Sequence, residues 1–172
     1  MSDNLIHKAT IEAIEEVASN LRPEDYKEVL EGWGYEPALV IPLEASEGHT
    51  VSFNVPDGRI AGLAGIQNDG RVWMLCTNVI DEYPIHFIRE AKRFIDSRED
   101  PILWNVVDKR NTLHLKLLKH LNFKFLREVP WGPKKLTFIE FCRVCTSSSP
   151  SNIGRRTSGR SSRSEKLATS SS

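Results

Sequence analysis

The stretch LWNVVDKRNTLHLKLLKHLNFKF at 103–125 constrains the fold more than any other part of the chain. It opens on a run, Ile102 to Val107, apolar but for Asn105, which suits a strand covered on both faces. Asn111 then predicts an N-cap. Behind it Leu113, Leu117, Leu118 and Leu121 recur at helical spacing, with Lys116, Lys119 and His120 pointing away. The aromatic run FKFLREV follows as a further strand. A strand that is buried on both sides and runs straight into an amphipathic helix requires helices on the faces of a sheet, so the chain must be α+β.

The rest of the sequence fits that frame. LIHKAT at 5–10 reads as a short strand, and Thr10 as the cap of a helix whose apolar positions are Ile14, Val17, Ala18 and Leu21. Pro23 suits the first position of a second helix through Tyr26, Val29 and Leu30, and the glycines of EGWGYEP end it. Residues 50–55, 59–66 and 71–76 read as three strands of an antiparallel meander, separated by PDG and QNDG. Pro84 opens a helix with Phe87, Ile88, Ala91, Phe94 and Ile95 on one stripe and Arg89, Glu90, Lys92 and Arg93 facing away. FKFLREV and LTFIEFCRV make a last pair of strands across WGPK. The predicted order is strand, two helices, three strands, helix, strand, helix, two strands. Gly32 and Gly34 do not make a nucleotide loop, since no strand precedes them. The GLAG of the second meander strand is expected to let a backbone pass close to a neighbour, and Trp73 and Trp104 to pack in the core.

Composition bounds what the chain can do. Its 172 residues, 40% of them hydrophobic, suffice for one core. No apolar run approaches a membrane span or a signal core, so an intracellular protein is expected. Cys76, Cys142 and Cys145 are an odd number, and the CRVC at 142–145 has no second pair to complete a metal site, so no metal is expected and the thiols are read as reduced. From Thr146 the sequence is serine-rich, with five Arg or Lys against one Glu, which leaves residues 1–145 with 18 basic and 22 acidic side chains, a net of −4. Two segments are therefore predicted: a folded body, 1–145, and a disordered tail, 146–172. The tail's spaced arginines are a weak electrostatic footprint for nucleic acid, and a solvated tail is the plainer reading.

The element order and the stretch at 103–125 resemble the GCN5-related N-acetyltransferase fold, a central, mixed, mostly antiparallel sheet flanked by helices. That family patterns its post-β5 helix as N-x-x-A-x-x-L-Y-x-x-x-G-F. Asn111, Leu117 and Phe123 match the Asn, Leu and Phe; the Tyr and Gly positions are Leu118 and Asn122. LRPEDYKEVLEG at 21–32, WMLCT at 73–77, IREAKRFID at 88–96, LWNVVDKRN at 103–111 and FKFL at 123–126 are similar to a phage family, the internal virion protein A of T-seven-like podoviruses. That resemblance covers about residues 5–144. It implies a role in assembling the internal core of the virion, contacts with core or portal proteins, residence in the host cytoplasm and transiently in the assembling particle, and no need for catalysis.

Acetyl transfer would need a cradle for the pyrophosphate of acetyl-coenzyme A, which the acetyltransferase family builds from a glycine-rich loop at a helix N-terminus. Here that place reads TNVIDEYPIHF, without a glycine, with Asp81 and Glu82, and with Pro84 lacking an N–H. The family's general acid falls on Leu118, which has no proton to give. Glu82, His86 and His114 are the candidate bases, none fixed by a motif. No catalytic residue is therefore assigned and no cofactor is expected; if the chain does bind acetyl-coenzyme A, Asn111 and Thr77 are the positions expected to contact it. The cap alone explains Asn111 and is the plainer reading, and the two roles are compatible.

Overall fold

The computed structural model describes residues 5–145. The predicted tail, 146–172, lies outside the described residues. The elements run β1 (Ile6–Lys8), α1 (Ile11–Ser19), α2 (Pro23–Lys27), α3 (Pro37–Ser46), β2 (His49–Asn54), β3 (Ile60–Ile66), β4 (Val72–Cys76), α4 (Pro84–Asp96), β5 (Ile102–Asp108), α5 (Thr112–His120), β6 (Lys124–Trp131) and β7 (Leu136–Val144). Local chemistry sets most of these boundaries. Thr10 accepts the Ala13 N–H at 3.2 Å and starts α1, while Pro23, Pro37 and Pro84 sit in the first turns of their helices. Gly58 and Gly70, at φ 90° and 84°, close the meander's two turns.

β1–β2–β3–β4 form one antiparallel sheet and β5–β7–β6 another. The sheets touch at one corner, a parallel bridge between Arg71 and Trp104. There the Trp104 N–H reaches the Gly70 carbonyl at 3.1 Å, and the Asn105 side-chain amide donates to the Val72 carbonyl at 2.8 Å. Past this corner β4 and β5 share no ladder among the described residues, and the two strands splay. α4 and α5 cover one face with Phe53, Phe87, Phe94 and Leu117 in the core; α1 and α3 cover the other through Val17, Ile41 and Leu63.

Three features depart from the sequence reading. α3 was not expected: its apolar residues lie all round the helix and leave no stripe, and Pro42 inside it reads as a breaker. α2 continues through a π turn, Glu28–Trp33, ended by Gly34 at φ 82°. Glu90, expected on the outer face of α4, is 2% exposed and paired with Arg93 at 3.0 Å. The glycines of GLAG do serve close approach. A Cβ at Gly62 would sit 2.6 Å from the Leu75 carbonyl oxygen, and one at Gly65 would collide with the Trp73 ring. Gly32 likewise leaves no room for a Cβ against Phe138, which seats the π turn on the β6–β7 hairpin beside the edge-to-face pair of Trp33 and Trp131.

Candidate functional site

The site is the splay between β4 and β5, and the helix that follows β5 supplies its first residue. Asn111 caps α5, its side-chain oxygen accepting the His114 N–H at 3.4 Å. Its amide points the other way and donates to Asp25 Oδ1 at 2.9 Å and to Glu28 Oε2 at 3.0 Å. One side chain thus ties α5 to α2. It is 1% exposed, with oxygen and amide both engaged.

α2 reaches the free edge of β4 from the other side. The Arg22 N–H donates to the Cys76 carbonyl at 2.9 Å, and Asp25 Oδ2 accepts the Cys76 N–H at 2.6 Å. Both main-chain groups that Cys76 turns toward β5 are therefore taken by the chain itself. Asp25 is fully buried, with His114 Nε2 at 3.4 Å and an Arg22 guanidinium nitrogen at 3.6 Å. Burial pushes the Cys76 thiol well above its ordinary range, helped by the Asp25 charge. It pushes the His114 imidazole down, so that ring is neutral near pH 7, although Asp25 pulls the other way. Glu28 opens the π turn, half-buried. Burial lifts its carboxyl to about 8; the Asn111 amide opposes that and the charges of Asp25 and Asp108 add to it.

Beside this cluster a cavity of about 370 Å³ passes through the splay, with Ile41 and Trp73 toward one face and Phe94 and Leu118 toward the other. Glu28 and His114 are among its polar lining. It is a mostly apolar space with a few convergent polar groups, the kind of place where small molecules bind.

The sequence candidates divide. His114 lines the cavity, and Asn111 lies directly behind Glu28. Thr77 is buried at the exit of β4, where its hydroxyl donates to the Ile60 carbonyl at 2.8 Å and accepts the Val79 N–H at 3.3 Å; it holds a single 3₁₀ turn, Asn78–Asp81. Glu82 is exposed and pairs with Arg59 at 2.6 Å, and His86 sits against Tyr83. Neither is a cavity residue. Asp25 and Glu28 were not singled out from the sequence. The available signal was spacing: Arg22, Asp25 and Val29 share the buried face of one helix, so a carboxylate lay where an apolar residue was due.

Residues 77–84 do not fit the pyrophosphate of acetyl-coenzyme A. The N–H groups of Ile80, Glu82 and Tyr83 bond back to Thr77, Val79 and Ile80 within the turn. Asp57 and Glu82 stand on the same side, both held by Arg59, with the Asp57 carboxyl lowered to about 2 chiefly by that guanidinium. Two carboxylates already matched to one cation repel further anions.

No protein-family model matches the chain. No curated protein matches it either. Solved structures do. A GNAT-family acetyltransferase from Streptococcus pneumoniae superposes with TM-score 0.55 at 15% identity, over 83% of this chain and 99% of its own. A GNAT-family acetyltransferase from Bacillus anthracis gives 0.60 at 9%, over 81% and 93%. Spermidine N-acetyltransferase from Vibrio cholerae, in complex with CoA and spermine, gives 0.59 at 8%, over 81% and 94%. At such identities the likeness concerns the fold.

Proposed function

On the GCN5-related N-acetyltransferase fold that this chain has, we propose a protein that works by contact and not by acetyl transfer, in assembly of the internal core of a phage virion. One observation carries the non-catalytic half: the 21–25 segment occupies the free edge of β4 at Cys76, and Asp25 and Asn111 lock it there. The closed turn after β4 and Leu118 at the acid position support the same reading. The assembly half rests on the resemblance of residues 5–144 to the podoviral internal virion protein A family. In this reading the partners are phage core or portal proteins, met in the host cytoplasm and in the assembling particle. The folded body, 1–145, makes the contacts and the tail is an appendage.

Calorimetric titration of the full chain with acetyl-coenzyme A tests the first half. No heat of binding at millimolar ligand is expected. Micromolar binding would overturn it and favour an acetyl-coenzyme A-dependent N-acetyltransferase that modifies a host or phage protein. That second reading has one observation behind it, the cavity with a carboxyl at Glu28 that titrates near 8. The assembly half is tested in phage. Particles made without this protein should lack their internal core, and a copy carrying Glu28→Gln should restore it. Intact cores in its absence would sink that half.

A further inference from the structure

We infer that Asp25, Cys76 and His114 form a zinc site inside the β4–β5 splay. Three elements converge to make it: α2 brings the carboxylate, β4 the sulfur, α5 the imidazole. One ligand atom from each lies within 4.8 Å of the other two, and all three residues are buried. Carboxylate, thiolate and imidazole together are a donor set that zinc accepts.

The geometry is specific where it can be compared. Two ligands held at about 2.0–2.1 Å from a tetrahedral Zn²⁺ stand roughly 3.4 Å apart. His114 Nε2 and Asp25 Oδ1 are 3.4 Å apart. The Cys76 sulfur lies within 4.8 Å of both and would need to close to roughly 3.6 Å from each, a closure of roughly 1.2 Å at most, within reach of a side-chain torsion.

A second, independent observation points to a ligand. His114 is 6% exposed, yet its Nε2 has no hydrogen-bond partner. A buried ring nitrogen without a partner is costly, and a metal ion would satisfy it.

Charge allows it. Binding releases the Cys76 thiol proton to solvent, so the dication meets one thiolate and one carboxylate. Arg22 faces Asp25 from the next turn, with one guanidinium nitrogen unpartnered at 3.6 Å, and it opposes the ion. Glu28 lies on the other side of Asn111, whose amide it shares with Asp25. The cavity that His114 lines runs beside the cluster and supplies a path for the ion. The bound ion would clamp α2 to β4 and α5, whether or not the chain is an enzyme.

The test uses the full chain, freed of metal by chelation and titrated with Co²⁺ and then Zn²⁺. One Co²⁺ per chain is expected, with the near-ultraviolet band of a cobalt–thiolate bond and the visible bands of tetrahedral cobalt, both displaced by Zn²⁺. Cys76→Ser should abolish the thiolate band and weaken binding by about 10–100-fold. His114→Gln should weaken binding alike, with circular dichroism checking that both variants fold. Cys142→Ser and Cys145→Ser should leave the band intact, since of those half-buried thiols one lies near the C-terminal end of β7 and the other just past it. Absence of a thiolate band in the folded parent would overturn the inference. So would a band that survives Cys76→Ser, or one that disappears with Cys142→Ser or Cys145→Ser.

Discussion

Glu28 and Asn111 show how much one residue's surroundings decide. Burial lifts the Glu28 carboxyl from its ordinary 4.5 to about 8. Between those two values the unfolded chain has released the proton and the folded chain still holds it, so stability should fall as pH rises from 4.5 and level off above 8. Glu28→Gln should flatten that slope. By urea unfolding at pH 5 and pH 9, the variant is expected to gain about 2–4 kcal/mol on the parent between the two conditions, allowing for the group's partial exposure. An unchanged slope would mean that another group carries the dependence. Asn111→Ala removes the α5 cap and leaves two carboxylates without their amide. The expected cost is about 2–4 kcal/mol, read from the same unfolding curves. The cap was legible in the sequence, because an Asn before a periodic apolar run has few other uses. Its second role was not, because Asp25 and Glu28 stand more than eighty residues earlier.

At the level of elements, the strands and their turns were written locally, in PDG, QNDG and alternating apolar runs. Of the helices, α1, α2, α4 and α5 announced themselves by caps, prolines and stripes. α3 did not, because a helix that is apolar on every side has no period to detect. β3 and β4 offer a sharper test of packing. Gly62→Ala would push its methyl into the backbone carbonyl of Leu75, whereas Gly65→Ala meets the Trp73 side chain, which borders the cavity and has room to swing. Both should destabilise, by about 1–3 kcal/mol, with Gly62→Ala the worse of the two. Equal costs would show that the Trp73 ring is as fixed as the backbone.

Across the whole molecule, the split into two sheets joined at a single corner creates the cavity, and the segment that fills one side of the split decides what it can hold. No helix among the described residues is long and apolar enough to cross a membrane. The serine-rich sequence after Thr146 has a single Leu and a single Ile with which to join a core. Removing residues 146–172 should therefore leave the thermal midpoint within about 2 °C of the full chain. A larger drop would place the tail against the body.

The sequence by itself determined the α+β class, nearly the whole element order, the caps and the missing glycines after β4, because each depends on neighbours a few residues apart. It pointed to Asn111 as a cap for the same reason, and offered His114 only as one of three candidate bases beside Glu82 and His86. Only the tertiary structure decided that Asp25 closes the edge of β4, that Glu28 comes within range of the charges of Asp25 and Asp108, and that a thiol, an imidazole and a carboxylate meet. Those facts join residues 25, 76 and 114, and contacts at such separations follow from how sheets and helices pack, which no local pattern records.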